Sequence, residues 1–367
     1  MRPAEQQRSL GHRFASFATE ARNGSPLYAQ LAEAIADDPA IAAVLEAAPA
    51  SQRRPNLLFA AVHDLLLAGV EHELRRYYPS VGGHTPPDAR TVPAFRAFVE
   101  EQWTAIRERV ATRSTQTNEV GRCAALRPAL AHLASRTGRP LALVEIGASA
   151  GLLLHVDRYR TRYRDGDRRC DVGPATSAAT IETAVRGRVP PHLELPEIVA
   201  RTGIDLDPRS PADEDDARWL RACVWPDQPD RLARLDGALR TAARHDDVSV
   251  IRGDVSTIGL GGLLDDAPIE ATVCVLHSAA LAYLDDAERE HIEQELDRLG
   301  AGRDLARIGV EGAFLEPFSS QERRVAPPRS GEERFLVGLS HWSQGRRTDH
   351  LLARAHPHGA WLEWLAA

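Results

Sequence analysis

Leu141-Ala142-Leu143-Val144-Glu145-Ile146-Gly147-Ala148-Ser149-Ala150-Gly151 is the stretch on which the reading of this chain turns. Leu141 to Ile146, an apolar run with a single acid, has the texture of a strand buried on both faces. A chain that leaves a strand at Gly147 and reopens as a helix at Gly151 must turn within a few residues. Glycine permits the backbone angles and the close backbone approach that a ligand needs there. The helix expected next, Leu152 to Tyr159, would aim its free N–H groups and the positive end of its dipole at whatever lies over the loop.

Upstream the texture is helical. Ser25-Pro26 and Asp38-Pro39 are each a capping residue followed by proline at the first helical position, and Asn56 to Val70 reads as an apolar helix. Phe95, Phe98, Val99, Trp103, Ile106 and Val110 keep helical spacing, and one more helix opens at Gln116 and ends near Gly138. No strand is expected before Leu141. Downstream, short β-type runs alternate with helical segments, the pattern of a parallel sheet with crossover helices. The expected strands are Leu141 to Ile146, Glu197 to Leu206, Val248 to Gly253, Ala271 to His277, Ala306 to Glu311, Phe335 to His341 and part of Leu351 to Trp364. The last two leave no room for a helix, so an antiparallel hairpin at one edge is expected. The organisation read from this is an all-helical region, 1–138, placed as a lid over the strand ends, and an α/β domain, 139–367, with an insertion at about 160–196.

Composition narrows the chemistry. The 367 residues are 43% hydrophobic with a net charge of −7, as in a soluble globular protein. There is no secretory or membrane-spanning stretch and the four cysteines are far apart with no CxxC, so a cytoplasmic protein without a metal site or disulfide framework is expected. No lysine occurs, which excludes Schiff-base lysines and lysine-bearing phosphate loops. The charge balance does not suggest nucleic acid, and a small-molecule partner is expected instead.

Three ligand loops compete at Glu145 to Gly151. A dinucleotide fingerprint wants glycine at 147, 149 and 152, and only Gly147 fits. A nucleophile elbow, GxSxG, is matched with Ser149 as nucleophile and Asp254 with His341 or His356 as partners, although that elbow normally follows several strands. The third pattern, two hydrophobics, acid, hydrophobic, Gly-x-small-x-Gly, resembles motif I of class I S-adenosylmethionine (SAM) methyltransferases. That resemblance implies an α/β fold with a Rossmann-like sheet of about seven mostly parallel strands behind the helical region. It also implies Glu145, Gly147, Ser149 and Gly151 at the amino acid end of SAM, Asp205 (or Asp207) on the ribose hydroxyls and Asp254 on the adenine amino group. The ribose acid departs from the family spacing, which is about 20 residues after the loop. Asp254 has a second reading as a turn cap before Ser256.

Ligands of doubly wound sheets bind outside the carboxyl ends of the strands, so His277, Ser278 and Tyr283 would border an acceptor, with His277 as a base. Glu311 and His341-Trp342 occupy equivalent places after the next two strands. Structural roles stand beside each of these readings, as does a Rossmann-like binding protein without catalysis.

Asn56 to His63, Tyr78-Pro79-Ser80, Gln116 to Cys123, Glu145 to Gly151 and Trp219 to Gln228 together resemble a bacterial family known only as a domain of unknown function. Within these segments Thr117 or Asn118 would cap the helix leading to the loop, and Arg122 would reach a carboxylate such as that of SAM. Trp219, Trp225 and Pro226 read either as a pocket wall or as core packing. His63 reads as a core histidine.

Overall fold

The computed structural model describes residues 3–116, 118–264, 267–313, 317–325 and 333–366. Among them eleven strands occur: β1 (Leu141–Ile146), β2 (Arg160–Asp165), β3 (Arg168–Val172), β4 (Thr180–Arg186), β5 (Ile198–Asp205), β6 (Ser249–Arg252), β7 (Thr272–Ser278), β8 (Leu305–Gly312), β9 (Phe335–Ser343), β10 (Arg346–Ala355) and β11 (Trp361–Trp364). All eleven belong to one open, mostly parallel sheet of order β3-β2-β4-β11-β10-β9-β8-β7-β1-β5-β6. The chain forms two compact units, Met1–Thr117 with Asp213–Ala233, and Asn118–Ala212 with Arg234–Ala367.

In the sheet unit, β1, β7 and β8 are apolar enough to be buried almost throughout, as strands covered on both faces must be. The run β6-β5-β1-β7-β8 is parallel, and its order reverses at β1, which pairs with β5 on one side and β7 on the other. A crevice outside the carboxyl ends at such a reversal is where doubly wound sheets take ligands. Val273, Val275 and Leu305 pack in one core with Ile292 and Leu296 of helix Asp286–Gly300, which opens with a reciprocal capping box between Asp285 and Glu288.

Seven strands were expected and eleven occur among the described residues. The segment read as an insertion, 160–196, builds β2, β3 and β4. β2 and β4 are amphipathic: along β4, Ile181, Thr183 and Val185 are buried while Thr180, Glu182 and Ala184 face out. The three strands are joined by Arg162 to Asp171 and Glu182, with Arg164 also bonded to Glu182. The region Leu351 to Trp364 is two strands, and β9 and β10 do form an antiparallel hairpin. It is not at an edge, because β11 pairs with β10 and β4 with β11.

In the helical unit, Ser25 accepts from the Tyr28 N–H at the start of helix Pro26–Ala36, and Asp38 does the same for Ile41 N–H at Pro39–Ala42. The apolar run after Arg54 forms helix Pro55–Leu67. Tyr28 stacks on Phe59 at 4.5 Å between ring centroids, and Phe17 and Phe95 also pack on Phe59. Trp219 is buried in this core with its Nε1–H on Ser114 O, and Trp225 meets Phe17 edge-on at 5.6 Å. Both tryptophans are therefore core residues of the helical unit rather than walls of a ligand pocket. His63 is fully buried, with Nδ1 3.1 Å from Ala222 O and Nε2 2.7 Å from Ser80 Oγ. A carbonyl can only accept, so the imidazole proton sits on Nδ1 and Nε2 accepts from the serine hydroxyl. No helix among the described residues is long and apolar enough to cross a membrane.

Candidate active site at the carboxyl rim

The loop after β1 is held by main-chain partners on β5. Gly147 and Ala148 N–H both donate to Ile204 O, at 2.9 and 3.2 Å, and Ser149 N–H donates to Asp205 Oδ2 at 2.7 Å. Asn118 Nδ2 adds a bond to Ala148 O at 3.2 Å. Gly147, Ser149 and Gly151 all have positive φ, +73°, +52° and +66°. A Cβ at 147 would lie 2.8 Å from Ala280 Cβ and one at 151 would lie 2.9 Å from Val248 Cγ1, so both glycines are required by space as well as by angle. The segment Leu152–Arg158 that follows is 3₁₀ and broken at His155, not the α-helix expected. Its crowded turns supply less of an aligned dipole than an α-helix would.

The acids ending the strands have varied surroundings. Glu145 is buried and its Oε2 makes no hydrogen bond. Burial pushes its carboxyl well above the usual range, the charge of Asp205 adds to this, and Arg122 opposes it. Asp205 uses both oxygens to shape the rim, Oδ2 on Ser149 N–H and Oδ1 on Asp207 N–H at 2.8 Å. Asp207 pairs with Arg209 and Arg252. Asp254 caps a short turn through Oδ1, accepting from Ser256 N at 2.9 Å and Ser256 Oγ at 2.7 Å, which is the turn-cap arrangement.

At the ends of β7 and β8, His277 Nδ1 lies 3.0 Å from Glu311 Oε1, and both residues are buried. The same oxygen accepts from Ala280 and Leu281 N–H at 3.0 and 3.1 Å, fixing a turn in which Ala279 has φ +54°. Burial lowers the His277 pKa and outweighs the pull of Glu311 in the other direction. The neutral ring therefore carries its proton on Nδ1, toward the carboxylate, and keeps a lone pair on Nε2, an atom that is buried and makes no hydrogen bond. Tyr283 stands on the following turn, Leu281–Tyr283, half exposed.

Other expectations are corrected. Asn118 anchors the loop and caps nothing; the cap before Val120–Arg122 is Glu119, which accepts from Gly121 N–H. Thr117 lies outside the described residues. Arg122 is buried with Nε on Pro357 O and Nη1 on Ser278 O, and its guanidinium lies 5.5 Å from the Phe335 ring centroid. His341-Trp342 is excluded from this rim: β9 runs antiparallel to β8, so these residues pair with Ala306 and Leu305 at its beginning. That also removes His341 as a partner for Ser149. His155, Arg209 and Ser210, which carried no motif, line a cavity of about 320 Å³ beside Ala150. His155 comes from one segment and Arg209-Ser210 from another, so only the fold joins them.

Residues 11–364 match a family described as an uncharacterized protein conserved in bacteria. The chain belongs to this family, DUF2332. No curated protein matches it. In this DUF2332 chain the segments that carried the likeness divide between the units: Asn118 to Cys123 and Glu145 to Gly151 lie in the sheet unit, whereas Asn56 to His63, Tyr78 to Ser80 and Trp219 to Gln228 lie in the helical unit.

Proposed function

We propose that the sheet unit is a Rossmann-like SAM-binding domain and the protein a SAM-dependent methyltransferase acting on a small molecule. The observation that carries the reading is positional: Glu145, the Gly147 to Gly151 loop, Asp205, Asp254, His277 and Glu311 come from five parallel strands and all lie at their carboxyl ends, around the reversal between β1 and β7. The residues fit the group. Gly147 and Gly151 keep the loop free of side chains. Glu145 has a buried oxygen without a donor, suited to the ammonium of the methionyl part. Asp205 has one lone pair left on each oxygen for ribose hydroxyls after its two main-chain bonds. SAM supplies, when bound, a methyl group on an electrophilic sulfonium. The protein's task is then alignment of the acceptor, with His277 Nε2 taking its proton and Glu311 keeping the imidazole in the required tautomer.

Calorimetric titration of the purified protein with SAM tests this; saturable binding that Gly147→Asp abolishes is expected, and no binding at millimolar ligand would overturn it. His277→Gln should keep SAM binding and lower turnover by about 10²- to 10⁴-fold. One observation favours a second reading: Ser149, at φ +52°, has the strained backbone in which an elbow presents a nucleophile. Labelling by a fluorophosphonate that Ser149→Ala removes would establish hydrolysis instead. A protein that binds SAM but transfers nothing would be the non-catalytic alternative.

A further inference from the structure

The methyltransferase reading uses nothing from the helical unit, yet three of the five family-like segments meet there. Trp225-Pro226-Asp227-Gln228 is held by Trp225 Nε1 on Asn56 Oδ1 at 3.2 Å and by Gln228 Nε2 on Gly24 O at 3.0 Å. This places Asp227 at the start of helix Pro26–Ala36, where Ser25 Oγ donates to its Oδ2 at 2.7 Å. The main-chain N–H of Leu27 also favours the charged carboxylate. Oδ1 is buried without a partner, and the Asp227 charge reaches the neighbouring Tyr28 and Tyr78, whose hydroxyls interact with each other. No ion pair to Asp227 is found among the described residues. Burial raises its carboxyl despite the serine and the main-chain N–H groups.

Asp227 also lines a cavity of about 320 Å³. Its other walls include Pro26, Leu27, Tyr77, Pro79 and Pro86. Proline rings and a leucine make apolar, stiff walls of an open cleft that matches a short hydrocarbon body. The acidic group in its lining is the Asp227 carboxylate, which can only accept, and the Tyr77 hydroxyl beside it is already committed to Asp88 Oδ1 at 2.9 Å. A primary ammonium has three N–H donors and one positive charge. A neutral alcohol would leave the charge unanswered, and an anion would be repelled.

We infer that this cavity is a second small-molecule site, for a primary amine with a short apolar body, recognised by Asp227. The intact chain is titrated with n-butylammonium chloride at fixed ionic strength, followed by calorimetry and by the thermal midpoint, with 1-butanol and sodium butyrate as controls. Butylammonium should bind saturably and raise the midpoint, with butanol and butyrate at least about tenfold weaker. Asp227→Asn, checked for a cooperative melt, should lose ammonium binding by about tenfold or more and keep whatever affinity the wild type has for SAM. Equal binding of butanol and butylammonium, no saturable ammonium binding at millimolar concentration, or unchanged affinity in Asp227→Asn would each overturn the inference. If that variant does not fold, the comparison of the three probes on the unaltered chain decides alone.

Discussion

Glu145 concentrates the problem at the scale of one residue. A carboxylate buried beside Asp205 costs free energy unless a cation answers it, and Arg122 does so only in part. Its folded pKa lies above the unfolded value, so the stability it contributes is complete below the unfolded carboxylate range and is lost as pH rises through the folded pKa. Each unit of difference is worth about 1.4 kcal/mol. Glu145→Gln keeps the shape without the charge. It should therefore melt higher than the wild type near pH 8, with the gap closing toward pH 4, while binding SAM about tenfold more weakly through loss of a charge-assisted bond. Melting curves across that range check the first part; a variant less stable at every pH would show that the carboxylate is satisfied in the fold.

At the scale of elements, the loop and its neighbours separate what was legible from what was not. β1 and β5 to β9 are readable because each is a short apolar run between turn residues. β2 to β4 are not, since one of their faces carries Arg162, Arg164, Asp171 and Glu182, whose pairing across strands replaces the apolar signal. The acids at the strand ends are visible beside glycine, but the contact of His277 with Glu311 is not. It depends on register: His277 lies opposite Gly309, which puts Glu311 two residues further along β8, on the same face. His341 fails for the same kind of reason, strand direction being absent from periodicity. The loop itself is demanding. Gly147→Ala combines a left-handed backbone cost of about 1–2 kcal/mol with a contact against Ala280 Cβ, and should lower the thermal midpoint by several degrees. Ser149→Gly relieves the strain at φ +52° and should leave the midpoint unchanged or higher. The opposite order in differential scanning calorimetry would mean that the loop is not built as argued.

For the whole molecule, buried histidines couple both units to pH in the same direction. His63 in the helical unit and His155 in the sheet unit are both lowered to about 4, chiefly by burial, with Arg158 and Arg201 adding to the effect at His155. His277 is lowered as well. In each case the unfolded chain takes up a proton near pH 6.5 and the folded one does not until lower pH, so the stability is complete above about 6.5 and is lost as pH falls toward 4. A displacement of this size corresponds to on the order of 3 kcal/mol for each of His63 and His155. The raised carboxyls, Glu145 and Asp227, act in the opposite sense, losing stability as pH rises, so the observed slope is a difference. Burial also lowers His132, His341 and His350, so urea unfolding at about pH 7.5, 6.5, 5.5 and 4.5 should give midpoints that are flat at first and then fall, because six histidines oppose two carboxyls in this window. His63→Gln should make that fall shallower whatever its effect at neutral pH, since the readout is the slope and not the level. An unchanged slope would mean that His63 is protonated in the folded state, and its Nε2 would then have to donate to Ser80 rather than accept from it.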